Sequence, residues 1–585
     1  MRVFSLTKTQ RLSYFAPIMQ NPALKIVHAI LVAALCSLCH SVDAQSPVVP
    51  LYSGLGSLTR QITTQSPEAQ TYFNQGLCFL YAFNHDEAIR SFEQAAKLDQ
   101  SCAMAWWGIS IANGPHINNP AVTPERAAAA WSALSKARDK AFDNGRASDN
   151  GRARLPPSHM SATAAEKALI AALTKRYADP QPEDRAPLDE AYAAAMRDVF
   201  RKYPADADIG ALFAEALMDL RPWDLWTDDG KPQPGTDEVV NTLESVLAKS
   251  PNHPLALHLY IHAVEASPHP EKANSPADRL RNLQPGLGHL VHMPSHIDVR
   301  QGRWRESIAA NQKAIEADRC YRRQSPEQGF YNVYMAHNHH MLAYSAMMCG
   351  QSKLSISAIN EMASGIPENW LKENAAVADG FTAMPLEVLI RFGRWDDVLA
   401  APEPPEYLPI ARAYRHAARG IAHAAKDQLP DAKREQISFL AAAKKVPEDA
   451  RVGNNSAENL LAIATHLLAG EILYREGRVE LALTELRAAA KIEDTLRYSE
   501  PPDWIHPVRH ALGATLLKEH RPAEAEKVYR DDLARQPNNG WSLYGLAQSL
   551  HQQNKHAAAA SIDAQFATVW KDADIKITSS CYCQP

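Results

Sequence analysis

The sequence predicts an all-α chain, a right-handed superhelix (α-solenoid) of about a dozen helical hairpins. Three observations predict it. Alanine-rich runs such as Ala127–Ala130 and Ala488–Ala490 favour helix, and alternating β-branched runs are nearly absent. Small and aromatic residues recur with a period of roughly 34, where two antiparallel helices must touch closely. The 585 residues exceed what one compact core normally holds, which calls for several domains or one extended array.

Residues 1–44 read as a secretory signal peptide. Lys25 precedes an apolar run from Ile26 to Leu38, Val42 and Ala44 supply the small −3 and −1 residues, and Gln45 is the expected mature start. The stretch before Met19 is long for a basic leader, which makes Met19 an alternative start. The apolar run is short for a membrane span, and no later stretch is apolar enough for one. No span is expected after cleavage; a retained N-terminal anchor is the alternative. The expected compartment is periplasmic or extracellular. Without residues 1–44 the chain keeps 57 basic and 65 acidic residues, a net −8. No basic stripe remains, so a nucleic-acid partner is not expected.

An extended segment, 45–65, leads into the array, expected over 66–570. The first hairpin places Gly76 and Phe79 on one helix and Ala88, Phe92, Ala95 and Leu98 on the next; the second opens at Trp106 and Trp107. Residues 115–160 interrupt the period with an extra helix from Pro124 to about Phe142 and a turn-rich loop from Asp143 to Arg152. A second insertion, 221–236, lengthens one hairpin turn and carries Trp223 and Trp226, either as a lid or as loop anchors. The period resumes at Ala273 with Pro285, Gly302 with Ala314, and Gly350 with Ile359. Past a proline-rich elbow at 401–409 it continues at Gly470, Gly477, Ala482 and Ala489, then Gly513, Ala525, Tyr529 and Pro537, then Trp541, Gly545 and Ala557. Residues 571–585 form a tail with Cys581 and Cys583.

This pattern resembles the tetratricopeptide repeat (TPR) family, whose repeats run W-x-x-L-G-x-x-Y, then A, F, A and P. The stretches Arg221–Trp226, His258–Glu265 and His292–His296 are similar to an exported bacterial branch of that family with His-rich central repeats. The resemblance implies fold and compartment, not chemistry. It also implies that ligands are held by positions 2, 5, 9, 12 and 13 of each first helix, on the concave face.

Counted in that phase, His258, His262 and Glu265 fall at positions 5, 9 and 12 of one unit. His289, His292, His296 and Arg300 fall at 2, 5, 9 and 13 of the next, and His337, His340 and Tyr344 at 2, 5 and 9 of a third. The unit before offers Glu215 and Asp219; a later one offers Glu387 and Arg391. Histidines four apart share a helical face and chelate together. Pro294 inside its helix predicts a kink near His292 and His296. His116 and His510 join this wall only if the superhelix closes on itself.

Seven imidazoles with few carboxylates favour Zn, Cu, Fe or Ni over Ca or Mg. Three uses remain open for the set: a transition-metal site, a metal-free pocket for a polar or anionic ligand, and a structural polar network. The favoured function is an exported binding protein whose concave face holds a transition metal (Zn, Cu or Fe) and through it a peptide or small anion. The alternatives are a metal-dependent hydrolase or oxidase, with Glu265 or Tyr344 assisting, and a plain scaffold for protein partners. In an oxidising compartment Cys78 could pair with Cys102 and Cys320 with Cys349. The terminal pair reads as a fastener of the tail or as soft metal ligands.

Overall fold

The computed structural model describes residues 49–142, 161–326 and 328–584. The expected signal peptide and the loop at 143–152 lie outside the described residues. Within them the chain is a tetratricopeptide-like α-solenoid of twelve successive helix pairs. The extra helix runs Pro124–Phe142, and the only strands among the described residues are the two-residue pair Arg451–Val452 and Asn455–Ser456. No helix among the described residues is long and apolar enough to cross a membrane.

Local chemistry sets the helix starts. Ser66 caps the first helix, its side chain accepting from the Ala69 N–H with Pro67 at the first helical position. Thr163 and Glu166 form a reciprocal capping box. His253 caps Pro254–Val264 through Nδ1, its Nε2 resting 3.0 Å from Asp208. Pro294 divides its segment into Gly288–His292 and Pro294–Arg300 at Met293.

The array closes on itself. The N-terminal segment pairs with the middle of the chain, the Gly286 N–H donating to the Gly54 carbonyl and Gln284 Nε2 to the Leu55 carbonyl. Tyr321 of the helix Trp304–Gln324 donates to Glu87 in the first hairpin at 2.9 Å. The last hairpins reach the same region: Trp304 Nε1 donates to the Asn538 carbonyl at 2.9 Å and Trp541 Nε1 to the Met347 carbonyl at 2.8 Å. Arg497 joins the 221–236 insertion through an ion pair with Asp224 at 3.2 Å.

The cysteines depart from the expected pairing. Cys78, Cys102 and Cys349 are buried free thiols, and Cys320 is exposed and free. Cys581 and Cys583 are joined to each other by a disulfide.

Candidate metal centre

Three first helices carry the histidine wall: Pro254–Val264, the broken pair Gly288–His292 and Pro294–Arg300, and Asn332–Met348. Their imidazoles meet inside the closed array. His258, His262, His289, His292 and His296 are each 6% exposed or less, a degree of burial that forbids leaving ring nitrogens to water.

The hydrogen-bond network assigns the protons. His258 Nδ1 faces the Tyr81 carbonyl at 2.9 Å, and a carbonyl only accepts. Glu265 accepts from both His262 Nδ1, at 2.8 Å, and His296 Nδ1, at 2.5 Å. His292 Nδ1 donates to Asn311 Oδ1 at 2.6 Å; the Asn311 amide is oriented by its own donation to the Ser307 carbonyl. All four rings therefore hold Nδ1–H outward and turn Nε2 lone pairs inward.

Those inward nitrogens crowd. His292 and His296 face each other Nε2 to Nε2 at 2.8 Å, and His258 and His289 at 3.1 Å. His262 Nε2 and His289 Nδ1 have no hydrogen-bond partner among the described residues. With both Nδ1 atoms committed, the His292–His296 contact sets one lone pair against another unless a cation lies between them. That cation is a proton or a metal ion. Within the wall, three groups of donors have ligand atoms within 4.8 Å of one another: His258, His262 and His289; His292, His296 and His337; and His262, Glu265 and His296.

Electrostatics suits ligation. Burial, then the neighbouring imidazoles, hold His258, His289 and His337 well below the usual histidine value. Burial and His296 do the same to His292. His296 alone is raised: burial pulls it down, and the Glu265 carboxylate more than offsets that. Glu265 is held at about 2, because His296 and His262 outweigh its burial. Burial therefore favours the neutral, donor form of His258, His289, His292 and His337, and the ionised Glu265 carboxylate orients His262 and His296.

Several predicted residues stand elsewhere. Asp219 pairs with buried Arg176 and Glu215 lies near that pair, away from the histidines; both fell on the neighbouring unit, which turns its carboxylates to the 164–202 hairpin instead. Tyr344 packs edge-on to Trp304 at 5.9 Å and borders a separate cavity with Arg300 and Tyr498. Arg300 stays near the centre: it lines a crevice shared with His262, Glu265 and Trp223, its guanidinium 5.6 Å from the Tyr498 ring. His340 belongs to no three-donor group; its ring lies 6.3 Å from His337 and 5.8 Å from Phe381. His510 bonds Arg391 and Asp532, outside the cluster. Trp223 stands edge-on to His262 at 5.4 Å, as a lid would, whereas Trp226 anchors the loop by donating to the Ala263 carbonyl.

Sequence reasoning missed Phe83, His85 and Asn311. Phe83, at φ 57 in the first interhelical turn, packs its ring 4.4 Å from His258 and 4.6 Å from His116. The His85 ring lies 4.3 Å from that of His116, tilted by 48°. Phe83 and His85 arrive through closure of the array, which no local spacing encodes. Asn311 sits on a second helix, where the repeat phase assigns packing.

A cavity of about 910 Å³ opens onto the wall, reaching His262, His289, His296, His337 and His340, with Phe381 on its apolar lining. Its size is that of a site for a small organic molecule.

No family model matches the chain, and no curated protein matches it. Among solved structures it is similar to the human IFIT1 dimer with m7Gppp-AAAA, at 13% identity over 87% of this chain and 91% of that one, TM-score 0.31. It is similar also to the Cut9-Hcn1 APC/C hetero-tetramer, at 15% identity over 82% and 76%, TM-score 0.32. Yeast Tom70 is matched at 12% identity over 87% and 93%, TM-score 0.26.

Proposed function

We propose that this is an exported protein that binds transition metal through the Nε2 atoms of its buried histidine wall. One observation carries the reading: the Nε2 atoms of His292 and His296 face each other at 2.8 Å while Asn311 and Glu265 accept from their Nδ1 atoms, an arrangement that calls for a cation between the two rings. Imidazoles around a tetrahedral ion at 2.0–2.1 Å place their nitrogens about 3.4 Å apart, a small relaxation from the distance seen. The outer hydrogen bonds are those that orient ligating histidines, including a carboxylate shared by two of them. The large cavity supports an open coordination position, reached by a mainly apolar ligand with one metal-binding group.

Elemental analysis of untagged protein tests this. Metal is expected in the native protein. His262→Ala combined with His296→Ala is expected to abolish it while helical circular dichroism persists. His416→Ala with His423→Ala, on a helix remote from the wall, is expected to change nothing. Metal-free native protein, with His296 carrying the proton between the two rings, would refute the proposal.

A further inference from the structure

We propose that the chamber takes two metal ions, one held by His258, His262 and His289 and the other by His292, His296 and His337. The inference rests on reading the wall as a metal site and adds its nuclearity.

The two sets share no residue, and each brings three ring nitrogens within 4.8 Å of one another. Each contains its own close nitrogen pair, at 3.1 Å and 2.8 Å. Each has its own orienting acceptors. The Tyr81 carbonyl and one Glu265 oxygen serve the first set; the Asn311 oxygen and the other Glu265 oxygen serve the second. The sets adjoin: the His289 and His292 rings lie 5.9 Å apart and the His262 and His296 rings 5.5 Å.

A single ion midway, on His262, His296 and Glu265, is the competing arrangement. It requires Glu265 to ligate with oxygens already accepting two N–H groups. It also leaves the His292–His296 pair, with both Nδ1 atoms committed, without a metal ion. Two ions, one per set, place a cation at each pair.

Charge narrows the ion. Glu265 is the only carboxylate hydrogen-bonded to either set among the described residues. Two divalent ions would set four positive charges against Glu265 and the nearby Glu500, whereas two monovalent ions set only two. Copper(I), an ion imidazole accommodates, is therefore the probe.

Untagged full-length protein is titrated anaerobically with copper(I) against a chromophoric chelator, and bound copper is counted by elemental analysis. Two equivalents are expected. His289→Gln and His337→Gln should each retain one, and the double variant none, with unchanged circular dichroism. One equivalent in the unaltered protein overturns the two-ion arrangement and leaves the metal reading standing. So does loss of all copper in each folded single variant. No copper bound at all also overturns the two-ion copper(I) arrangement, while elemental analysis of the native protein decides the metal reading itself. The count on the unaltered protein decides the matter even if a variant misfolds.

Discussion

Glu265 is the residue that joins the centre, since each of its oxygens fixes the tautomer of a different histidine. An amide offers one acceptor where the carboxylate offers two. Glu265→Gln therefore leaves one imidazole without its outer partner, and metal affinity is expected to fall about 10- to 100-fold. Competition against a chelator of known affinity measures it; an unchanged constant would show that Glu265 orients nothing. His340 gives a second prediction. Burial holds it at about 3. The unfolded chain takes up a proton near the ordinary value of about 6.5 that the folded chain refuses until far lower pH. The stability this residue contributes is thus present above that ordinary value and lost as pH falls below it, by about 1.4 kcal/mol per pH unit. His340→Gln should flatten the dependence by that slope, read from urea unfolding of metal-free protein at several acidic pH values. Parallel curves for the two proteins would refute it. At this scale the sequence was informative where spacing lies within one helix. His258, His262 and Glu265 share a face by helical geometry alone. That Tyr344 packs on Trp304 and lines a cavity beside Arg300 was not legible, because the repeat phase assigns a position on the helix and not its neighbours.

Helix pairs follow the repeat period because close approach needs specific small residues. Gly76 and Gly108 press on opposite sides of Phe92, where an added Cβ would lie 2.5 Å from the ring in either case. Gly108→Ala is expected to cost about 1–3 kcal/mol of stability, visible as a lower denaturation midpoint. Phe92→Leu in that background should recover part of the loss; a neutral Gly108→Ala would mean the ring has room that the structure denies. Pro294 was legible for the same reason, because a missing N–H and a fixed φ have local consequences whatever the surroundings. The thiols were not: Cys78 donates to the Leu55 carbonyl, and which chain passes a buried sulfur is a tertiary outcome.

Across the whole molecule, closure decides what the wall can do. Trp223 reaches His262 because its loop is held by Arg497 from the far end of the array. Trp223→Ala should leave the bound metal count unchanged and speed its loss to a chelator several-fold; equal release rates would remove the loop from any gating role. The hairpins were legible from sequence, whereas contacts such as Trp304 to Asn538 join residues more than two hundred apart and leave no periodic trace.

The same contacts change how the chain comes apart. An open stack of repeats frays from its termini, one unit at a time. Here the opening hairpin leans on Tyr321, and the closing ones cover Trp304 and Met347. Neither of these terminal hairpins is a loose thread. Amide exchange in Pro67–Leu98 and in Gly540–Val569 is thus expected to track global melting instead of preceding it, giving a ring that holds or fails as one.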